Sequence, residues 1–598
     1  MSSTLIFHDD AAQTWRTFQH PIRVLEVHTL ADILPALHEI EQAVNHGLWA
    51  AGFLAYEAAP AFDPAMVTHP PVEGLPLLWF GLYEERGKQE ERSRKKEVPI
   101  PDPQFLLPNS PFLFPTSPSH YATSLAHIKE HIAAGDTYQV NYTLRLRAPL
   151  PPTPLLPLFQ HLIQPTPPPY AAYLETGRFV ICSTSPELFF TLDRNTLRSK
   201  PMKGTAPRGH TLAEDQANAA WLAHSEKNRA ENLMIVDMIR NDMGRIATTG
   251  SVHVPRLFEI ERYPTVLQMT STVACETRAS LPEILTALFP CASITGAPKI
   301  RTMEIIRALE PEPRGVYTGT IGFIAPNRRA QFNVAIRTVV VDTHTGQAEY
   351  GVGSGIVWDS EAAEEYAECE VKAQVLKTRR PAFDLLESLC WTPEEGYFLL
   401  ERHLARMRES AEFFDFPFDE EKVRAQLVDH PPTHPSPHKT RLLLTRAGEV
   451  TLEHQPLPLA PFFLSPPSPP LATQGAGLRV TLAATPVSSA DVFLYHKTTH
   501  RAVYEAARAA CPGYEEVLLW NERGEVTEFT ASNVVVRLEG AWFTPPVTCG
   551  LLGGTLRGEL LAQGTVTERV IPREQVMGAE AVWVVNSVRG WRRVEFGE

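Results

Sequence analysis

KPMKGTAPRG, Lys200 to Gly209, sets Lys203 directly before a Gly-Thr pair, and it follows SPELFF, Ser185 to Phe190, which carries Glu187. Downstream come NRAENLMIVDMIRND (Asn228–Asp242), CASITGAPK (Cys291–Lys299), RGVYTGTIG (Arg314–Gly322), FNVAIRT (Phe332–Thr338) and GVGSGIVWDS (Gly351–Ser360). Glu231 reads as opening a helix whose later turns are apolar at Met234, Ile235, Met238 and Ile239. Glu361, Glu365, Glu368 and Lys372 fall at i, i+4, i+7 and i+11, one face of a second helix. One carboxylate from each helix suits a hard cation that keeps positions for water and substrate oxygens, as Mg²⁺ does. An acidic stripe is otherwise an ordinary solvated face. Gly351, Gly353 and Gly355 allow close backbone approach, either as clustered N–H donors for a carboxylate or phosphate or as a tight turn. Arg337, read on an alternating strand, suits a bidentate grip on a carboxylate or a pairing with a nearby acid.

Outward from these segments, IRVLEV, LWAAGFLAYEAA and LWFGLYEE between residues 20 and 85 are strand-like. EERGKQEERSRKKEVPIPDPQ then turns to dense charge and proline, which marks a connection at about 85–118. Leu125, Ile128 and Ile132 recur helically up to Gly135-Asp136, and YQVNYTLRLRA alternates as a strand. KTRRPAF is the best boundary, dividing the chain into units 1–380 and 381–598. At 598 residues the chain exceeds what one core usually serves.

Beyond the boundary a new α/β pattern begins at FDLLESLCW and includes FLLERHLARMRESAEFF, LYHKTTHRAVY, GEVTEFTASNVVV, FTPPVTCGLLGGTLR and VVNSVRGW. Lys497 follows an apolar run and lies thirty-one residues before Glu528. A pyridoxal-phosphate enzyme needs a lysine to carry the cofactor, an acid on its ring nitrogen and a cradle for its phosphate. Glu528 suits the nitrogen, and Arg406 with the backbone at Gly554-Thr555 suits the phosphate. Each alone is an ordinary surface residue.

The segments from about residue 20 to 375, in this order, resemble the chorismate-binding enzymes: anthranilate synthase, isochorismate synthase and aminodeoxychorismate synthase component I. The resemblance implies a two-sheet α/β fold with Mg²⁺ bridging carboxylates to the substrate. By motif, Glu231 and Glu368 become metal ligands with Glu365 beside them, and Thr205, Thr295, Tyr317, Arg337, Gly353, Ser354, Gly355 and Lys372 become substrate binders. Lys203 stands where the anthranilate and isochorismate branches have alanine, which points to the aminodeoxychorismate branch. That branch implies that Lys203 adds at ring C2 and expels the C4 hydroxyl, protonated by Glu187, before ammonia adds at C4 and releases the lysine. Asn228 replaces an aspartate of many relatives, and Gln268 a histidine of anthranilate synthases. Residues 383 to 598 resemble the two-subdomain fold-type IV pyridoxal-phosphate enzymes, which include aminotransferases and 4-amino-4-deoxychorismate lyase. Lys497, Arg406, Glu528, Ser532, Asn533, Gly554 and Thr555 would hold the cofactor, and the family implies a homodimer. Gly553 stands where the family's turn usually has proline. Fused to a synthase, the second part reads as the lyase, giving 4-aminobenzoate; an anthranilate-forming first half with an independent aminotransferase, or a C-terminal docking module, are the rival readings.

Composition limits the alternatives. Hydrophobic residues make up 43% and charged residues 21%, as in soluble enzymes, and a net charge of −14 gives no footprint for nucleic acid. Seven scattered cysteines without a CxxC pair, and no basic-then-apolar start or long apolar run, suggest a reduced, cytoplasmic protein without a membrane span. No GxCxG-like nucleophile segment is present, so ammonia is expected from a separate glutamine amidotransferase subunit.

Overall fold

A computed structural model describes residues 3–84, 112–114, 116–150, 154–164, 167–376, 381–433, 436–457 and 477–597. Most of the connection expected at 85–118, and the KTRR of the expected boundary, lie outside them. The chain forms two compact units, Met1–Ala206 with Trp221–Arg380, and Pro207–Ala220 with Pro381–Glu598. The short segment 207–220 therefore belongs with the second unit. Within that unit Arg208 lies 4.4 Å over the Phe413 ring, and His496 Nε2 is 3.1 Å from the His210 carbonyl.

The first unit is built on two sheets of eight and ten strands. Leu5, Phe7 and Ile181 of one sheet meet Phe53, Ile321 and Phe323 of the other in a shared apolar core. Helix Pro118–Ala133 covers the outer face of the eight-stranded sheet. Helices Ile33–Asn45 and Glu226–Gly244 cover that of the ten-stranded sheet. The alternation of YQVNYTLRLRA becomes strand Gln139–Pro149, paired antiparallel with Gln347–Ile356. The glycines Gly351, Gly353 and Gly355 thus sit inside a strand, not in a turn. Glu231 does not open its helix, which begins at Glu226 with Ser225 accepting from the Asn228 N–H. Arg337 is not within a strand either. It joins Arg329–Val334 of the larger sheet to Thr338–Asp342 of the smaller with a left-handed φ of 49°. A non-glycine residue held there stores strain, as residues at working sites often do.

The second unit carries a four-stranded and an eight-stranded sheet. Helices Leu400–Phe414 and Glu420–Asp429 pack Leu404, Met407 and Val423 onto Leu385, Leu389 and Leu442 of the smaller sheet. Strand Leu385–Thr392 presents alternate residues to its two faces. One face meets that core, and Leu386, Ser388 and Cys390 look the other way, into cavities.

Candidate active sites

In the first unit a cavity of about 250 Å³ is lined from strand Met202–Pro207, helix Glu226–Gly244, strand Gln347–Ile356 and helix Ala362–Ala373. Lys203 Nζ stands 3.4 Å from Glu231 Oε2, with both side chains mostly buried. Its backbone is fixed on both sides. Asn232 Nδ2 donates to the Lys203 carbonyl at 3.1 Å and Gln268 Nε2 to the Gly204 carbonyl at 2.8 Å. Thr205 Oγ1 donates to Gln268 Oε1 at 3.2 Å. The strand glycines make room for this arrangement. A Cβ on Gly355 would lie 2.2 Å from Lys203 Nζ, and one on Gly351 would lie 2.3 Å from the Tyr317 ring. The Arg145 guanidinium also lies over that ring, 4.9 Å from its centroid.

Glu187 is 3% exposed, and its Oε1 has no hydrogen-bond partner among the described residues. Burial pushes its pKa up to about 7, against the opposing influence of Ser293, the Met202 backbone, Lys203 and Lys372. The cavity therefore holds a carboxyl able to give or take a proton near neutrality.

Tyr317, Arg337, Gly353, Lys372 and all three glutamates expected at the metal also line the cavity. The glutamates do not converge. Glu231 pairs with Lys203, Glu368 pairs with Lys372 at 2.6 Å, and Glu365 accepts from Ser360 at 2.6 Å. Among the described residues no three acidic, His or Cys groups stand close enough to hold a metal ion. Burial works against ionisation of Glu368, but Lys372, Lys203 and Lys227 outweigh it and hold the carboxyl below its ordinary pKa. Lys372 Nζ also donates to the Gly353 carbonyl at 2.8 Å. Arg337 forms no ion pair among the described residues. Two expected binders point elsewhere. The Ser354 hydroxyl meets Tyr121 Oη at 2.9 Å beneath the helix layer, and Thr295 Oγ1 bonds the carbonyls of Cys291 and Ala292. Asn141, Lys227 and Ser293 line the cavity and went unread in the sequence.

The second unit holds a larger cavity of about 670 Å³ between its two sheets. Lys497, Glu528, Arg406, Ser532, Asn533, Gly554 and Thr555 all line it. Burial, then Arg406, lowers the Lys497 amine to about 8. Burial raises Glu528 to about 7 in spite of hydrogen bonds from Tyr504 Oη (2.7 Å) and Leu552 N–H (3.1 Å). Asn533 Nδ2 bridges Glu528 (3.3 Å) and the Leu552 carbonyl (2.8 Å). Gly554 caps helix Thr555–Ala562, and a Cβ there would lie 1.8 Å from Asn533 Oδ1.

Arg406 is held by a residue that the sequence reading missed. Glu387 accepts from Arg406 Nε at 2.8 Å and Nη2 at 2.7 Å, and lies 2.7 Å from His403 Nδ1. Burial opposes its charge, yet Arg406 and His403 hold the carboxyl far below the usual range. A charged residue inside the apolar strand LLESLCW was the available signal, since a buried carboxylate must have partners. Thr555 Oγ1 meets His403 Nε2 at 3.2 Å.

Residues 2–378 match the family of chorismate binding enzymes, more than half of the chain. The chain belongs to the chorismate-binding enzymes. Residues 384–595 match amino-transferase class IV, so a chorismate-binding unit is fused to a class IV unit. Aminodeoxychorismate synthase component 1 of Bacillus subtilis is 44% identical over 248 residues, 41% of this chain and 52% of that protein. Anthranilate synthase component 1 of Streptomyces coelicolor is 42% identical over 255 residues, 42% of this chain and 49% of that protein. The chain spans about half the length, or less, of the curated relatives it matches. The solved anthranilate synthase component I of Streptococcus pneumoniae is 25% identical, covering 63% of this chain and 90% of that one with a TM-score of 0.49. No helix among the described residues is long and apolar enough to cross a membrane.

Proposed function

We propose that residues 1–380 form a unit that aminates chorismate to 4-amino-4-deoxychorismate, and that residues 381–598 form one that eliminates pyruvate from it to give 4-aminobenzoate. The observation that carries this reading is Lys203, an amine facing a cavity that also holds a carboxyl with its pKa near 7. The Lys203 amine adds at ring C2 as both ring double bonds shift toward C4 and the C4 hydroxyl leaves with a proton from Glu187. Ammonia, supplied by a separate glutaminase subunit, then adds at C4, and the reverse shift frees Lys203. The sum is chorismate plus ammonia to aminodeoxychorismate plus water. Arg337 and Tyr317 are suited to a substrate carboxylate.

Glu231 and Glu368, on separate helices lining the one cavity, would hold Mg²⁺, which needs only one or two protein carboxylates. There it would neutralise a substrate carboxylate, while Lys203 and Lys372 lose their present partners. In the second unit Arg406 and the start of helix Thr555–Ala562 would take the phosphate of pyridoxal phosphate. Glu528 would take its ring nitrogen and Lys497 its aldehyde. The glycine N-cap of helix Thr555–Ala562, the buried acid Glu528 and the depressed amine of Lys497 fit that group. When bound, it supplies an electron sink. Lys497 takes the proton from ring C4, and loss of the enolpyruvyl group as pyruvate leaves an aromatic ring.

The test is product identification after mixing the protein with chorismate, Mg²⁺, pyridoxal phosphate and ammonium. The expected products are 4-aminobenzoate and pyruvate, with aminodeoxychorismate accumulating in Lys497→Ala. Anthranilate or isochorismate would overturn the role given to Lys203.

A further inference from the structure

The cations around the larger cavity are not all accounted for by cofactor binding. Arg406 is satisfied by Glu387, Arg441 by Glu453 at 2.7 Å, and Arg508 by Glu516 at 3.5 Å. Arg501 donates to the Thr530 carbonyl and lies 4.5 Å over the Tyr504 ring. Lys439 and Arg589 line the cavity without any ion pair among the described residues. Among the described residues Arg592 reaches only Glu516, at 4.0 Å, and its Nε is buried with no hydrogen-bond partner.

Both sheets of the unit contribute to this group. Strand His438–Leu444 is in antiparallel register with Leu385–Thr392, placing Lys439 opposite Cys390 on the cavity-facing side. Arg592 comes from strand Gly590–Phe596 of the other sheet. Arg589 stands in the turn before it, where Asn586 Oδ1 accepts from the Val588 and Arg589 N–H groups at 3.1 and 2.8 Å. Burial, then the neighbouring Arg441 and Arg589, depresses the Lys439 amine, and burial with Arg589 does the same to Arg592. Such a cluster of like charge calls for an anion. Arg589 and Arg592 also wall a second pocket of about 340 Å³, whose apolar side is formed by Cys390, Phe398, Pro437 and Val588.

We infer that Lys439, Arg589 and Arg592 form a carboxylate subsite for the end of the substrate remote from its amino group, with the ring against the adjoining apolar wall. This rests on the lyase reading of the unit and deepens it. It makes the unit selective for amino-substituted ring acids over small α-amino acids, whose single carboxylate lies beside the reacting carbon.

The probes are 4-aminobenzoate and its uncharged isostere 4-aminobenzamide, titrated calorimetrically into the full chain loaded with pyridoxal phosphate. The natural protein should bind the carboxylate at least about tenfold more tightly than the amide. Lys439→Gln combined with Arg592→Gln should remove that preference by weakening only the carboxylate. Absorbance at about 420 nm should persist, showing an intact cofactor site. Each single variant, and Arg589→Gln, should give a smaller loss in the same direction, which guards against a double variant that fails to fold. Equal binding of the two probes by the natural protein, or an undiminished preference in the variants, would overturn the subsite. The lyase reading fails separately, if aminodeoxychorismate yields no pyruvate while the binding preference stands.

Discussion

Replacing Gly355 by alanine tests the placement of Lys203 with little disturbance elsewhere. Gly355 is not among the residues with left-handed backbone, so alanine meets no torsional strain there. Its Cβ would lie 2.2 Å from Lys203 Nζ and 2.8 Å from Gln139 Nε2, whereas ordinary contact begins at 3.4 Å. Both obstacles are the far ends of flexible side chains, so they retreat and the sheet does not. Lys203 Nζ must move by about 1 Å, and a reacting group displaced that far loses on the order of 100-fold in rate. The assay follows aminodeoxychorismate formation from chorismate with saturating ammonium, alongside thermal unfolding. We expect kcat to fall on the order of 100-fold, KM for chorismate to change far less, and Tm to stay within about 2 °C. A kcat within about threefold of the natural enzyme would refute the idea that Lys203 Nζ works from its present position.

Gly351→Ala has a different outcome, because its Cβ would lie 2.3 Å from the buried Tyr317 ring, over which Arg145 also lies. Denaturant unfolding should show a loss of about 1–3 kcal/mol, the usual cost of overpacking. Glu187, raised to about 7 from an ordinary 4.5, favours the folded state most below pH 4.5, and that stabilisation is lost as pH rises through 7. Glu187→Gln should therefore be more stable than the natural protein at pH 8 and not at pH 4. Its amination rate should also lose its dependence on a group titrating near 7. Ser354→Ala breaks the bond to Tyr121 and nothing in the cavity, so unfolding should record a loss of about 1 kcal/mol with chorismate kinetics unchanged.

Where the sequence reading succeeded and where it failed follows from the range of the interactions involved. Periodicity depends on neighbours three or four residues away in helices and two away in strands. Helix Pro118–Ala133, strand Gln139–Pro149 and the acidic face of Ala362–Ala373 were legible for that reason. Arg337 was misread because the chain crosses there between sheets, and alternation continues through the crossing with no local mark of the left-handed φ. Ser354 was misread because adjacent strand residues face opposite sides, so a motif naming Gly353-Ser354-Gly355 together spans both the cavity and the helix layer.

The glycines bring out the general point. From sequence alone Gly351, Gly353 and Gly355 admitted a turn or a nest of N–H donors, since each reading asks only what the glycine backbone can do. Their function in the fold depends on what approaches from across the cavity: the Tyr317 ring at 351 and Lys203 Nζ at 355. Those partners lie 34 and 152 residues away in the chain, so no local rule could supply them. The same holds for Glu387, whose buried charge could be flagged from the sequence. Its partners Arg406 and His403 emerge only when the helix carrying them packs on its strand. Removing the carboxylate would leave Arg406 with the Gly553 carbonyl alone among these bonds, so the groove expected to take the cofactor phosphate depends on a residue facing away from it.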